Sequence, residues 1–309
     1  MSVNVFIDGG SGTTGLEIRE RLSGRSDVRL MTIDDARRKD PAARREALND
    51  ADFVILCLPD DAAREAVAMI ESERTRVIDA STAHRVADGW TYGFAELEPG
   101  QQAAIAEARF VSNPGCYPTG FLALVRPLMR NGLLPSDWYL SVNAMSGDSG
   151  GGKSMIEEFE SGRETTAARL YALTLAHKHV PEMQRHARLE HLPIFAPSVV
   201  NVYRGMIVEV PLFLGTLTRR PTVEQCEAVL RDAYKDSPVV RIGDGSDALV
   251  RIGDDAGTDR LTLRVCGNDE TGQARLVATL DNLGKGAAGA AVQNLNIMAG
   301  FDPVAGLTL

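Results

Sequence analysis

One cysteine lies in a segment that is typical of a helix start. The segment from Asn113 to Gly120 reads NPGCYPTG, and an apolar run to Leu128 follows it. Pro114 and Gly115 indicate a turn, whereas a proline in the first helical turn needs no amide donor. Unpaired amides and the positive end of the helix dipole favour a thiolate. We therefore expect Cys116 to be a nucleophile, and the alternative is a small buried cysteine beside a turn.

A histidine pair in the second half of the chain could move protons for such a nucleophile. His177 and His179 are separated by one lysine and followed by Pro181 and Glu182. Acyl transfer through a thiol needs a proton-carrying group near neutral pH. We expect His179 to be the base, but in an extended segment both side chains face the same way, so His177 stays a rival. The remaining histidines are expected to be surface or packing residues: His84, His186 and His191.

A glycine-rich segment competes with this interpretation. Residues 147–154 read GDSGGGKS, which matches the phosphate-binding loop GxxxxGK[ST] of nucleoside triphosphatases. Such a loop usually opens its α/β domain, and no clear strand ending in a magnesium-binding aspartate follows this one. A P-loop NTP-binding protein is therefore the less favoured alternative, although the loop could contact phosphate in another way.

The opening residues predict a dinucleotide site. A strand pattern at 3–7 is followed by the loop DGGSGTTG at 8–15 and by an amphipathic segment at 16–22. This order brings backbone amides at a helix start close to a pyrophosphate. The glycine spacing is GxxGxxG and departs from the commoner GxGxxG, so a purely structural turn is the alternative. The expected cofactor contacts in this loop are Gly9, Ser11, Gly12, Thr13, Thr14 and Gly15.

Alternating strand and helix patterns continue to about residue 113. They favour a parallel sheet and a dinucleotide-binding domain over residues 1–113. The second strand ends at Asp34 and Asp35, which could bind a ribose hydroxyl, but Arg37 and Arg38 follow and could hold a ribose 2′-phosphate. We favour NADP over NAD, and a solvated run of charges is the alternative.

Length and charge exclude several classes of protein. The 309 residues favour two domains, and a net charge of -9 argues against a general nucleic-acid binder. The four cysteines show no paired spacing for zinc or redox work. Neither a leader pattern nor an apolar run of membrane-spanning length is evident. We therefore expect a cytoplasmic protein with reduced thiols, no bound metal and no membrane partner.

With these segments assembled, the chain resembles the N-acetyl-gamma-glutamyl-phosphate reductases of arginine biosynthesis in their shorter form. The matching segments span nearly the whole chain and comprise 9–15, 79–85, 93–97, 113–120, 146–153, 177–182 and 281–289. The resemblance implies a Rossmann-like α/β domain at 1–113 and an α+β catalytic domain at 114–283. It also implies that a helix within 284–309 packs back on the first domain, and that the protein is a homo-oligomer.

The resemblance further implies NADPH-dependent reduction of N-acetyl-5-glutamyl phosphate to N-acetylglutamate 5-semialdehyde and phosphate. Cys116 would form a thioester, and His179 would move protons with His177 and Glu182 as orienting neighbours. The other implied contacts are Ser81 and Asn282 with the cofactor, and Asn113, Lys153 and Arg204 with the acyl phosphate substrate.

The residues alone leave two further functions open. A sister acyl-phosphate reductase, such as an aspartate-semialdehyde dehydrogenase, would use the same thiol chemistry on a different side chain. A non-catalytic NADP-binding regulator would need only the opening domain.

Overall fold

The computed structural model describes residues 2–37, 40–246 and 249–309. Arg38 therefore lies outside the described residues. The chain divides into two units. The first runs to Pro114 and also includes Ala287–Leu307, and the second contains Gly115–Gly286 with Thr308–Leu309.

A parallel sheet forms the centre of the first unit. In the described part of this unit it has six strands, β1 Val3–Asp8, β2 Val28–Met31, β3 Phe53–Leu56, β4 Arg76–Asp79, β5 Thr91–Tyr92 and β6 Phe110–Ser112. Their order is β2-β1-β3-β4-β6-β5, and every neighbouring pair is parallel. The order reverses at β1, and dinucleotides bind beyond the carboxyl ends of the strands at such a point.

Helices cover both faces of this sheet. They are α1 Thr13–Leu22, α2 Pro41–Asp50, α3 Asp60–Ala68, α4 Gln101–Glu107 and a C-terminal helix, Gly289–Ala299. Because strand side chains alternate, Val5 and Ile7 pack in a cluster with α1 and the C-terminal helix. Phe6 packs on the other face with residues of α2 and α3. Burial of both faces is typical of parallel sheets, and it confirms the α/β class.

The C-terminal helix belongs to the first unit and contacts α1 and α4. Its packing residues are buried and include Ala291, Val292, Leu295 and Met298. The segment that directly precedes it, Gly284–Ala288, is π-helical.

A mixed sheet forms the second unit. Its helices are α5 Cys116–Arg130, α6 Lys153–Glu160, α7 Val180–Ala187 and α8 Val223–Tyr234. Among the residues described there, the sheet has seven strands, β7 Ser141–Gly147, β8 Ala168–Leu170, β9 Ile194–Val200, β10 Met206–Phe213, β11 Val240–Ile242, β12 Leu261–Asn268 and β13 Gln273–Leu280. The order is β11-β12-β13-β10-β7-β9-β8.

The long helix α5 lies on one face of this sheet. It contacts β10, β12 and β13, and its residues from Tyr117 to Leu128 are buried. A Cβ at Gly120 would lie 2.9 Å from Val208 Cγ2, so this glycine lets the helix approach β10 closely. The prediction that an apolar helix begins at Cys116 is confirmed.

The opposite face of the sheet carries exposed apolar side chains. Met145 of β7 pairs with Ile207 and Ser198, and Leu170 pairs with Ser198, so these positions share one face. The large exposed apolar residues on this face include Met145, Leu170, Ile194 and Phe213. Across the described ranges of the chain, no helix has both the length and the apolar character needed to span a bilayer.

Candidate active site

Cys116 is the first residue of α5, and its turn is held by a buried carboxylate. Gly115 caps the helix, and its N–H donates to Oε1 of Glu182 at 2.8 Å. Glu182 lies in the first turn of α7 and is 1% exposed. Thr119 donates both its N–H and its hydroxyl to the Gly115 carbonyl. The cysteine therefore sits at a helix start that is tied to α7, and the amides of this first turn favour a thiolate.

A glycine packs directly against the cysteine. A Cβ at Gly286 would lie 2.9 Å from Cys116 Cβ, so only glycine fits there without displacement. The Gly286 N–H donates to the Asp281 carbonyl, and the fully buried Asp281 carboxylate accepts the N–H groups of Leu283 and Gly284. We did not single out Gly286 or Asp281 from sequence, although both lie in the last matching segment.

The two histidines lie together at the start of α7. His179 is the N-cap residue of α7 and is 7% exposed. Its backbone N–H donates to Nδ1 of the His177 ring at 3.1 Å. The two ring centroids are 4.7 Å apart. His179 has helical backbone angles, φ -81° and ψ -16°, so a turn brings the rings together rather than an extended segment.

Two tyrosines that sequence reasoning missed lie behind the histidines. The Tyr171 hydroxyl donates to the Tyr117 oxygen at 2.9 Å. The Tyr117 ring is 5.9 Å from the His179 ring, and the Tyr171 ring is 5.9 Å from the His177 ring. Burial raises the pKa of Tyr171 to about 12 and the pKa of Tyr117 well above its usual value. Both hydroxyls therefore stay protonated at neutral pH. Only the position of Tyr117 beside Cys116 could have indicated one of them.

The predicted ligand-binding residues of the second unit have different environments. Lys153 is exposed at the first position of α6. Arg204 lies 3.4 Å from the Asp281 carboxylate, and its guanidinium lies over the Tyr203 ring. The buried Asn282 accepts the Gly205 N–H at 2.9 Å and donates to the Ser149 hydroxyl at 2.8 Å. Ligand contacts by Lys153, Arg204 and Asn282 stay predictions.

In the rival phosphate-binding loop at 147–154, the first three backbone N–H groups already donate to carbonyls of the same chain. The N–H groups of Gly147, Asp148 and Ser149 donate to carbonyls of residues 205, 202 and 203. These amides are therefore not available to an anion. The preceding strand β7 lies between antiparallel β10 and parallel β9, unlike the parallel sheet that a P-loop requires. The structure argues against the triphosphatase.

The glycine loop of the first unit is shaped by close backbone approach. Gly9 has φ +84°, and a Cβ there would lie 2.3 Å from the Cys57 carbonyl oxygen. A Cβ at Gly15 would lie 2.6 Å from the Gly9 carbonyl oxygen. Helix α1 begins at Thr13, so the amides of Thr13, Thr14 and Gly15 belong to its first turn.

A cavity of about 590 Å³ adjoins this loop. Gly9, Gly10 and Ser11 line one side, and the residues at the end of β2, Thr32 to Asp34, line another. The neighbouring first-turn amides, the hydroxyls and the space opened by glycine fit a nucleotide at the carboxyl edge of the sheet.

Two further residues predicted to bind the cofactor, Arg37 and Ser81, lie in the first unit. Arg37 is half-exposed and lies 3.4 Å from both Asp40 and Glu46. The Ser81 hydroxyl donates to the buried Asp79 carboxylate, which also contacts His84. Their cofactor contacts stay predictions.

Asn113 is buried in the first unit and joins the C-terminal segment to the sheet edge. Its side chain donates to the Ala287 carbonyl at 2.9 Å and accepts from Asn294 at 3.0 Å. Its contact with substrate stays a prediction.

Two family models match the chain. The model described as semialdehyde dehydrogenase, dimerisation domain, matches residues 116–282, and the model described as semialdehyde dehydrogenase, NAD binding domain, matches residues 25–105. Solved structures with the same fold include aspartate semialdehyde dehydrogenase II complexed with ASA from Vibrio cholerae, with a TM-score of 0.70 and 18% identity. Another is aspartate semialdehyde dehydrogenase with NADP from Candida albicans, with a TM-score of 0.69 and 14% identity. Each match covers 97% of this chain, with 98% and 99% of the respective structures. The fold and the models define the class as semialdehyde dehydrogenases.

Curated relatives narrow this class. The N-acetyl-gamma-glutamyl-phosphate reductases of Brucella anthropi and Brucella ovis are each 52% identical over 309 residues, which covers 97% of this chain and 99% and 100% of theirs. The chain belongs to the N-acetyl-gamma-glutamyl-phosphate reductase family. The resemblance stated from sequence is confirmed.

Proposed function

We propose that the protein reduces N-acetyl-5-glutamyl phosphate to N-acetylglutamate 5-semialdehyde with NADPH and releases phosphate, as a step of arginine biosynthesis. Family membership at 52% identity supports the substrate. The observation that carries the chemistry is the hydrogen bond from Gly115 to Glu182, because it joins the helix start bearing Cys116 to the helix that His179 caps.

Cys116 is the nucleophile of this proposal. Its thiolate attacks the acyl carbon, a carbon–sulfur bond forms, and phosphate leaves with the electron pair of the broken carbon–oxygen bond. The first-turn amides of α5 face the charge that develops on the acyl oxygen. The product of this step is a thioester on Cys116.

The first unit holds the cofactor in this proposal. NADPH, when bound, supplies the hydride that reduces the thioester carbon to the aldehyde level. The glycine loop at Gly9–Gly15 offers first-turn amides to the pyrophosphate, and Ser11 offers a hydroxyl. When the aldehyde leaves, the carbon–sulfur bond breaks and Cys116 is again a thiolate.

The hydrogen bond between the histidines favours His179 as the acid-base group. His177 accepts the His179 N–H at Nδ1, so that nitrogen carries no proton in this arrangement. Protonating His177 would turn Nδ1 into a donor and break this bond. His177 therefore orients the turn. His179 takes the proton of the Cys116 thiol and later returns it.

The protein functions as a homo-oligomer in this proposal. The exposed apolar face that carries Met145, Leu170 and Ile194 is the kind of surface that marks a protein interface. It lies within the residues that match the model described as a dimerisation domain. Analytical ultracentrifugation tests this, and a monomer at micromolar concentration would overturn it.

The reverse reaction tests the function. Purified protein is mixed with phosphate, NADP and either N-acetylglutamate 5-semialdehyde or aspartate semialdehyde, and NADPH formation is followed by absorbance. We expect turnover with the N-acetylated compound and a much lower rate with the other. The opposite preference would support the aspartate-semialdehyde alternative, and no turnover with either would contradict the proposed enzyme.

A further inference from the structure

The cavity beside the glycine loop contains charges of both signs. Asp8 at the end of β1 and Asp34 after β2 supply carboxylates, and Arg19 of α1 and Arg44 of α2 supply guanidinium groups. The adenine ribose of a dinucleotide lies at the end of the second strand in this fold class. These four side chains therefore surround the place where NAD and NADP differ, which is the ribose 2′ position.

The two arginines have different partners. Arg44 donates to the Asp8 carboxylate at 2.8 Å, and a second carboxylate, that of Glu65, lies 3.8 Å away. Its charge is therefore balanced within the protein. Arg19 is exposed, and among the residues that the structure describes its side chain has no hydrogen bond or ion pair.

The Arg19 side chain lies beside the glycine loop. A Cβ built on Gly10 would lie 3.5 Å from Arg19 Cδ, which is van der Waals distance, so the arginine stem runs next to a glycine of the phosphate-binding loop. Both residues line the cavity.

The end of β2 needs a cation if it is to accept a phosphate. Asp34 lines the cavity, and one of its carboxylate oxygens accepts the Ala36 N–H at 3.0 Å. A carboxylate at this place suits the ribose hydroxyls of NAD and repels a 2′-phosphate. Arg37 does not line the cavity in the described structure, and its guanidinium lies near Asp40 and Glu46.

We infer that Arg19 is the residue that selects NADP over NAD, by binding the ribose 2′-phosphate. A guanidinium can bind a phosphate through two parallel hydrogen bonds, which gives geometric selectivity as well as attraction. This inference rests on the NADP dependence of the proposed function and names the side chain that provides it.

Isothermal titration calorimetry of the full chain with NADP and with NAD tests the inference. The variant Arg19→Gln removes the charge, and Arg19→Lys keeps the charge without the planar fork. Arg29→Gln is the matched control, because it removes the same charge from an exposed position of β2 outside the cavity. Arg37→Gln tests one of the two arginines, Arg37 and Arg38, that the sequence favoured. Circular dichroism checks that each variant is folded.

We expect Arg19→Gln to weaken NADP binding by roughly 10- to 100-fold, the effect of losing one charge-assisted pair. NAD binding should change by less than about threefold, because NAD lacks the 2′-phosphate. Arg19→Lys should fall between, and the control variant Arg29→Gln should match the wild type. Equal losses for NADP and NAD, or a loss confined to Arg37→Gln, would overturn the inference while leaving the proposed function intact. A wild-type protein that binds no NADP would overturn both.

Discussion

Cys57 and Cys116 each follow a strand of the same parallel sheet, β3 and β6 respectively, yet their surroundings differ. Cys57 follows β3, and its N–H donates to the Asp8 carbonyl at 2.8 Å. Burial and the nearby charges of Asp79 and Asp8 raise the pKa of its thiol to about 12. Cys116 instead is the first residue of helix α5, whose first-turn amides have no acceptor within the helix.

The groups beside each cysteine therefore decide whether its thiol ionises and reacts. Carboxylates beside a buried sulfur oppose ionisation, whereas first-turn amides and a helix dipole favour it. Near Cys116 the carboxylate of Glu182 accepts the Gly115 N–H. This hydrogen bond anchors the turn before α5.

Alkylation should show the largest contrast. At pH 7 a thiol with a pKa of about 12 is ionised to about one part in 10⁵, so Cys57 should react more than about a thousandfold more slowly than Cys116. Cys226, whose pKa burial raises to about 11, should also stay unmodified. Peptide mapping after iodoacetamide measures each site. Labelling of Cys57 at a rate similar to that of Cys116 would remove the contrast.

Substitution of each sulfur should separate the two sites by function. We expect Cys116→Ser to lose about a thousandfold or more in kcat while keeping NADP affinity, because a hydroxyl is a poor nucleophile without strong base assistance. Cys57→Ala, the matched control, should keep most of its turnover. Steady-state kinetics and calorimetry measure both quantities. Appreciable activity in Cys116→Ser would exclude the thioester.

Displacing Cys116 without altering it should have the next largest effect. A Cβ in Gly286→Ala would meet Cys116 Cβ at 2.9 Å, and a shift of about 1 Å in a reacting group can cost about a hundredfold in rate. Gly253→Ala is the control, because nothing lies within 4 Å of its added carbon. A Gly286→Ala enzyme with the wild-type kcat would mean that the position of the cysteine is not critical.

The carboxylate that anchors the turn can be changed in two ways. Glu182→Ala leaves the buried Gly115 N–H without an acceptor, which costs about 1–3 kcal/mol of stability, whereas Glu182→Gln keeps an acceptor oxygen. We expect the alanine variant to be about tenfold less active than the glutamine variant, with the loss in kcat rather than KM. Equal activities would mean that the hydrogen bond does not position Cys116.

The smallest expected effect is on stability, and it comes from the buried carboxylate of Asp148. Asp148 is 6% exposed, and its Oδ1 has no hydrogen-bond partner among the described residues. Burial raises its pKa, so its ionised form destabilises the folded state. Asp148→Asn should therefore add about 1 kcal/mol to the free energy of unfolding at pH 7.

The stability gained in Asp148→Asn should depend on pH. The folded pKa of Asp148 lies above the unfolded value of 3.8, so the gain should shrink as pH falls through the folded pKa and vanish below about 3.8. Urea unfolding of both proteins at pH 7 and pH 4 measures it. A gain that grows on acidification would contradict the assigned cause.

The two glycine-rich loops mark how far sequence reasoning extends. The loop at 9–15 and the loop at 147–154 both follow a strand and precede a helix, and local sequence gave a phosphate motif for each. Only the structure shows that carbonyls of residues 202, 203 and 205 accept the first three N–H groups of the second loop. Those carbonyls come from a segment some fifty residues away, and no local pattern reveals such a partner.

The site was likewise predictable where the signal is local. Proline and glycine spacing placed Cys116 at a helix start, and strand and helix alternation gave the first sheet. The close packing of Gly286 on Cys116 and the bond between Tyr171 and Tyr117 join residues more than fifty positions apart. These contacts depend on how α5 and the strands pack, which residue spacing does not encode.

Intact-mass spectrometry of the enzyme mixed with N-acetyl-5-glutamyl phosphate, without NADPH, shows directly whether Cys116 forms a thioester. We expect the mass to rise by one N-acetylglutamyl group on Cys116, with phosphate released in equal amount. Rapid acid quenching captures the thioester before water removes it. If the wild-type protein shows no adduct under rapid quenching, or if the adduct persists in Cys116→Ser, the proposed covalent route is contradicted.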